Sequence, residues 1–109
     1  MGHDIYGINK NREEIAYARF SMGNPNATLL YRLLDAYEYF AGVSGTGEMA
    51  SFSLQQMEEA WKIFKEYNKD VSFHSEDELE NWDEKQIYKF IHNCLTTAQK
   101  EGSVRVYFG

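Results

Sequence analysis

The 109-residue chain carries 17 Asp and Glu against 11 Lys and Arg, a formal charge of −6, and 43% of its residues are hydrophobic. That composition predicts one globular domain over residues 1–109, with no room for a second core. The acidic balance disfavours nonspecific binding to phosphate backbones, which needs clustered Lys and Arg to release counterions, and so argues against a nucleic acid partner.

Cys94 is the single cysteine, so an intramolecular disulfide framework is excluded. With no signal-peptide core and no apolar run of spanning length, the chain reads as soluble and cytoplasmic, with no membrane contact. The Met-Gly start fails the myristoylation pattern, because Tyr6 stands where Ser or Thr is required.

Residues 4–8 are rich in β-formers, 9–12 form a polar turn and 14–20 alternate, which together predict a β-hairpin. Residues 21–26 break the strand and open a helix, with Asn24 or Asn26 as N-cap and Pro25 at its start. Leu30, Leu33, Leu34 and Tyr37 then recur at helical spacing, and this helix is expected to run to Ala41 or Gly42. The glycine-rich residues 42–47 read as a connection between helices. Ser53 with Gln56 forms a capping box for the next helix, whose Leu54, Met57, Trp61 and Phe64 share a face.

Two further boxes, Ser75 with Glu78 and Asp83 with Gln86, predict a short helix and a long one, and residues 71–73 read as a brief extended piece or a connection. In the long helix Ile87, Phe90, Ile91, Cys94, Leu95 and Ala98 keep helical spacing until Gly102 stops it. Residues 103–108 alternate as a last strand. The order β-β-α-α-α-α-β predicts an α+β fold: a small, mainly antiparallel sheet, made of the N-terminal hairpin and the C-terminal strand, with helices packed on one face.

Alternation also sorts side chains by face. Ala16, Ala18 and Phe20 oppose Ile15, Tyr17 and Arg19 in the second strand, and Val104, Val106 and Phe108 oppose Arg105 and Tyr107 in the last. If the apolar sets meet the helices, the open face shows Tyr17, Arg19, Arg105 and Tyr107. The first strand then adds either Asp4 and Tyr6 or His3 and Ile5. Tyr and Arg are common interface anchors, since each joins a large contact surface to directional hydrogen bonding. The plain alternative is a solvated sheet face whose tyrosines reflect β propensity.

Tyr6, Tyr17, Arg19, Arg105 and Tyr107 are thus the candidate binding residues, with the two guanidiniums expected to converge across the first strand. The function expected is non-catalytic binding of a protein partner or of a second copy. One alternative is a small anionic, nucleotide-like ligand held by Arg19, Arg105 and stacking tyrosines. Another is a small metal-dependent enzyme around His3, Asp4 and His74.

Other motifs carry less. The glycine loop at 42–47 lacks a Gly-Lys-Ser/Thr ending and follows no predicted strand, so it meets neither the P-loop nor the dinucleotide pattern. His3, His74 and His92 stand apart with no closed set of ligand spacings, so neither a bound metal nor a cofactor is expected. His92 and Cys94 are two residues apart on a helix and turn to different faces. Cys94 fits an apolar stripe, which makes it a buried structural thiol. The acidic block at 76–84 around Trp82 either imitates a phosphate backbone or complements helix dipoles, and the second is the ordinary account.

Three stretches carry a resemblance: Gly-His-Asp-Ile-Tyr-Gly at 2–7, Glu-Ile-Ala-Tyr-Ala-Arg-Phe at 14–20, and Leu-Leu-Asp-Ala-Tyr-Glu-Tyr-Phe-Ala-Gly-Val-Ser-Gly-Thr-Gly-Glu at 33–48. They resemble segments of small uncharacterised proteins from phage and bacterial genomes. The resemblance covers roughly the first half of the chain and brings no activity or functional residues with it. It implies a host-directed binding or inhibitory role.

Overall fold

Alternating inward and outward residues build β1 (Gly2–Ile8), β2 (Glu14–Ser21) and β4 (Ser103–Phe108), and a fourth strand, β3 (Glu48–Ser53), joins them. In the computed structural model, which describes residues 2–21, 25–41, 44–67 and 82–109, they form one antiparallel sheet of order β2-β1-β4-β3. Among the described residues there are three α-helices, α1 (Pro25–Leu33), α2 (Leu54–Tyr67) and α3 (Trp82–Glu101), and a 3₁₀ turn, Tyr37–Tyr39. The α+β class stands, with the helices over one face of the sheet.

The core lies between them. Ile5, Ala18, Phe20, Phe52, Val104, Val106 and Phe108 point inward from the strands and pack with Leu30, Met57, Phe64, Phe90, Ile91 and Cys94 from the helices in one cluster. The α3 stripe reads as its spacing predicts: Ile87, Phe90, Ile91, Cys94, Leu95 and Ala98 are all buried. Gly102, at φ 86, ends the helix in the left-handed region, its N–H donating to the Ala98 carbonyl at 2.7 Å. Gly7 sets how closely α3 approaches, since a Cβ there would stand 2.7 Å from Cys94 Sγ and 2.9 Å from Ala16 Cβ.

Three expectations are corrected. The first helix stops at Leu33 rather than near Ala41. Asp35 adopts φ 53, the Ala36 N–H donates to the Tyr31 carbonyl at 2.8 Å, and the Asp35 N–H donates to the Arg32 carbonyl at 3.1 Å. That is a Schellman stop with Asp in the position glycine usually takes, and Asp is among the few side chains that tolerate it. Tyr37 consequently leaves the apolar stripe and is 49% exposed.

Residues 48–53 form β3, where only the loop before them and a helix from Ser53 were expected. Glu, Ala and Ser are poor strand formers, and only Phe52 of this run is buried, so no period of two is visible. Pairing along the whole of β4 makes the strand. The last strand is therefore central, with β1 on one side and β3 on the other.

Ile15, expected on the open face, packs instead against the core. The pairing runs from Gly7↔Ala16 to Ile8↔Glu14, so Ile15 is the extra residue of a β-bulge, and its Cδ1 comes within 3.1 Å of a Cβ position on inward-facing Gly7.

The Ser53 capping box is complete: the Gln56 N–H donates to Ser53 Oγ at 3.2 Å and the Ser53 N–H donates to Gln56 Oε1 at 2.7 Å. Ser53→Ala is expected to cost about 1 kcal/mol in urea unfolding, because it strands an N-terminal donor of α2. The box at Ser75 and Glu78 and the piece at 71–73 lie outside the described residues. At the other box α3 already begins at Trp82.

Candidate functional site

With the helices on one side, β1 resolves its own ambiguity. His3 and Ile5 are buried beneath the helices, so Asp4 and Tyr6 are the residues it gives to the open face. Register then lays out a row. Tyr17 pairs with Tyr6, Tyr6 with Tyr107, and Tyr107 with Met49, so one line of three tyrosines and a methionine crosses all four strands. Tyr6 stacks on Tyr17 with centroids 5.0 Å apart and lies tilted to Tyr107 at 6.1 Å. Tyr17 and Met49, at the two ends, are 44% and 46% exposed.

Asp4 organises the β2 end of the face. Its Oδ1 accepts a hydrogen bond from the Tyr17 hydroxyl at 2.7 Å and stands 3.7 Å from Arg19 Nε. Donation to a carboxylate opposes loss of the phenolic proton, and with some burial it pushes Tyr17 from 10.0 up to about 12. The folded value lies above the unfolded one, so this contact is fully present below pH 10 and is lost as pH rises through about 12. Burial pushes Tyr31 to about 12 as well. In a near-ultraviolet alkaline titration, Tyr17→Phe is therefore expected to remove one of the late-ionising phenols.

Register sets the two arginines at different levels. Arg19 stands opposite Asp4 and Arg105 opposite Ile8, so they flank the tyrosine row at levels about 14 Å apart along β1. Arg105 has no ion-pair partner among the described residues, whereas Arg19 shares Asp4. All five predicted binding residues, Tyr6, Tyr17, Arg19, Arg105 and Tyr107, lie on this one face. Met49, which the sequence reading missed, completes it, and only knowledge of β3 could have found it.

The remaining candidates resolve differently. His3 and Asp4 are successive residues of a strand and point to opposite faces, so they cannot ligate one metal; His74 lies outside the described residues. The buried His3 ring lies with Nδ1 3.1 Å from the Tyr31 hydroxyl and stacks on Phe40 at 5.4 Å. Among the described residues no three His, Cys, Asp or Glu are grouped to hold a metal ion. Burial pushes the Cys94 thiol well above its ordinary value, which disfavours the reactive thiolate.

Gly45, Thr46 and Gly47 of the glycine loop use their backbone donors internally. The Gly45 N–H reaches the Gly109 carbonyl at 2.8 Å, Thr46 that of Tyr39 at 3.0 Å, and Gly47 that of Phe108 at 2.7 Å. Gly45 is required by contact, since a Cβ there would fall 2.6 Å from the Phe108 backbone.

On the helical side Trp61 lies 5.2 Å from Tyr88 and 5.7 Å from His92, with Lys65 Nζ 5.8 Å above it. A concavity of about 360 Å³ between α1 and α2, lined in part by Arg32, Gln56, Glu59 and Ile63, brings together no nucleophile with a base. The chain matches no protein-family model, no curated protein and no solved structure. Among the described residues no helix is long and apolar enough to cross a membrane.

Proposed function

We propose that this chain is a non-catalytic binding protein of the cytoplasm that recognises a protein partner through the open face of its sheet. The tyrosine row is the observation that carries the reading. Three phenol rings and a thioether lie in one line on a rigid sheet, half-exposed at both ends and flanked by guanidiniums. Aromatic and Arg side chains contribute most where they are held in place before the partner arrives, because little rotamer freedom is then lost on contact. The resemblance to small phage and bacterial proteins adds a host-directed, inhibitory role to this reading.

Changing Arg19 and Arg105 together to Ala tests it in the cell of origin. Both lie on the surface, and the Asp4 pair is solvent-exposed, so folding should change by less than about 1 kcal/mol. Loss of partner capture and of the in vivo effect is expected. Full retention of both would make the face a solvated surface and turn attention to the acidic block at 76–84.

A nucleotide-like anion is the second reading, favoured by Arg105, which stands without a carboxylate partner among the described residues on the same strand face as Tyr107. Binding of this kind would weaken with added salt.

A further inference from the structure

The two edges of the sheet are finished differently. On the β2 edge the Gln86 side-chain amide, reaching from α3, accepts from the Arg19 N–H and donates to the Arg19 carbonyl, both at 2.9 Å. It occupies the place where another strand would pair. The β3 edge has no such plug among the described residues. Its six residues keep an unbroken register with β4 and contain no Pro, no Lys and no bulge, three of the usual devices that blunt an edge, and their one charge is Glu48 at the end of the strand.

The free groups of that edge can be assigned. The Leu54 N–H donates to the Gly102 carbonyl at 3.2 Å at one end of the ladder, and the Gly47 N–H donates to the Phe108 carbonyl at 2.7 Å at the other. Antiparallel alternation then turns the N–H and C=O of Glu48, Ala50 and Phe52 toward β4, and those of Met49, Ser51 and Ser53 outward. The Ser53 N–H is taken by Gln56. Among the described residues, the N–H and C=O groups of Met49 and Ser51 are left for an outside strand.

We propose that a second copy of this chain pairs with β3 edge to edge, antiparallel about a two-fold axis at Ala50, joining the two sheets into one. In this register Met49 bonds to Ser51 of the second copy, and the symmetric pair repeats it, so every donor and acceptor left on Met49 and Ser51 is matched. The registers on either side would call on Gly47 or Ser53, whose N–H groups are already used. The complement of this edge is the edge itself.

Side chains agree with the pairing. Ala50 meets its own copy at the narrow, non-hydrogen-bonded position, where small groups allow close approach. Glu48 falls opposite Phe52 of the second copy, so no like charges face each other. Met49, 46% exposed in the single chain, comes diagonal to its copy at about 7–8 Å, within reach of a long side chain. The joined sheets would carry both tyrosine rows on one continuous surface. Pairing along β3 leaves that surface open whatever it binds.

An edge contact of six residues is smaller than the ~1,200 Å² of stable interfaces, so monomer and dimer should exchange with concentration. Each copy carries −6, and salt should strengthen the association by screening that repulsion. Sedimentation of the full chain over a range of concentration and salt should show the mass rising toward twice the monomer. Ser51→Pro removes an edge donor that makes no bond to β4, a position where Pro is tolerated, and should abolish the rise while leaving thermal unfolding in place.

Amide exchange in the unaltered protein gives a second readout. Met49 and Ser51 should slow by about tenfold or more with concentration, while Ala50 and Phe52 stay protected throughout. A monomer at every concentration, a dimer indifferent to Ser51→Pro, or exchange at Met49 and Ser51 that ignores concentration would each overturn the proposal.

Discussion

Phe108→Ala is expected to remove about 3–5 kcal/mol of stability, the cost of emptying a fully buried aromatic site, against a total of about 5–15 kcal/mol for a domain of this size. The residue is fully buried, and its ring stacks on Tyr39 at 4.9 Å and on Tyr31 at 5.3 Å and meets Phe52 edge-on at 6.3 Å. Its backbone pairs with Ile5 of β1 and Glu48 of β3, and its carbonyl takes the Gly47 N–H. One residue thus ties together both halves of the sheet and the glycine loop. Deleting residues 103–109 should abolish cooperative unfolding altogether, since among the described residues β4 is the strand that joins β3 to β1 in the sheet. A truncated chain with the full-length thermal transition would show that β4 is not part of the core sheet.

The second large effect is on binding. Tyr17→Ala or Arg105→Ala is expected to cost on the order of 2 kcal/mol of partner affinity, about 30-fold, if each anchors a contact. Stability should fall much less, because Tyr17 is 44% exposed and its ring packs on Tyr6 at the surface. Tyr17→Phe separates the two contributions of that side chain. It keeps the ring in the row but removes the bond to Asp4, leaving Arg19 as that carboxylate's partner. Titration calorimetry and urea unfolding of the same variants distinguish an anchor from a structural residue.

The open face was legible in the sequence where alternation was strong. In residues 14–20 and 103–108 small or apolar residues alternate with Tyr and Arg, and burial follows that alternation with Ile15 as the exception. A bulge is invisible to a period of two, because it changes the count on one strand only. The choice between Asp4 with Tyr6 and His3 with Ile5 stayed open because both pairs mix an ionisable and a large side chain. Burial of His3 beside Tyr31 and Phe40 decides it.

Residues 48–53 lacked any local signal, and long-range pairing with β4 supplies the strand. That pairing also brings Met49 to the end of the tyrosine row. The offset between Arg19 and Arg105 was hidden for a related reason: strand neighbours follow from order, but level follows from register, which the turns set.

Site-specific crosslinking most directly tests the claim that the open face is the functional surface. A photoreactive phenylalanine analogue at Tyr107, at the centre of the face, is compared in the cell of origin with the same group at Tyr88, in the aromatic cluster of α2 and α3. One specific protein adduct is expected from position 107, lost when Arg19 and Arg105 are both changed to Ala, and none from position 88. An adduct from position 88 alone, with position 107 silent, would contradict that claim and place recognition on the helical side around Trp61.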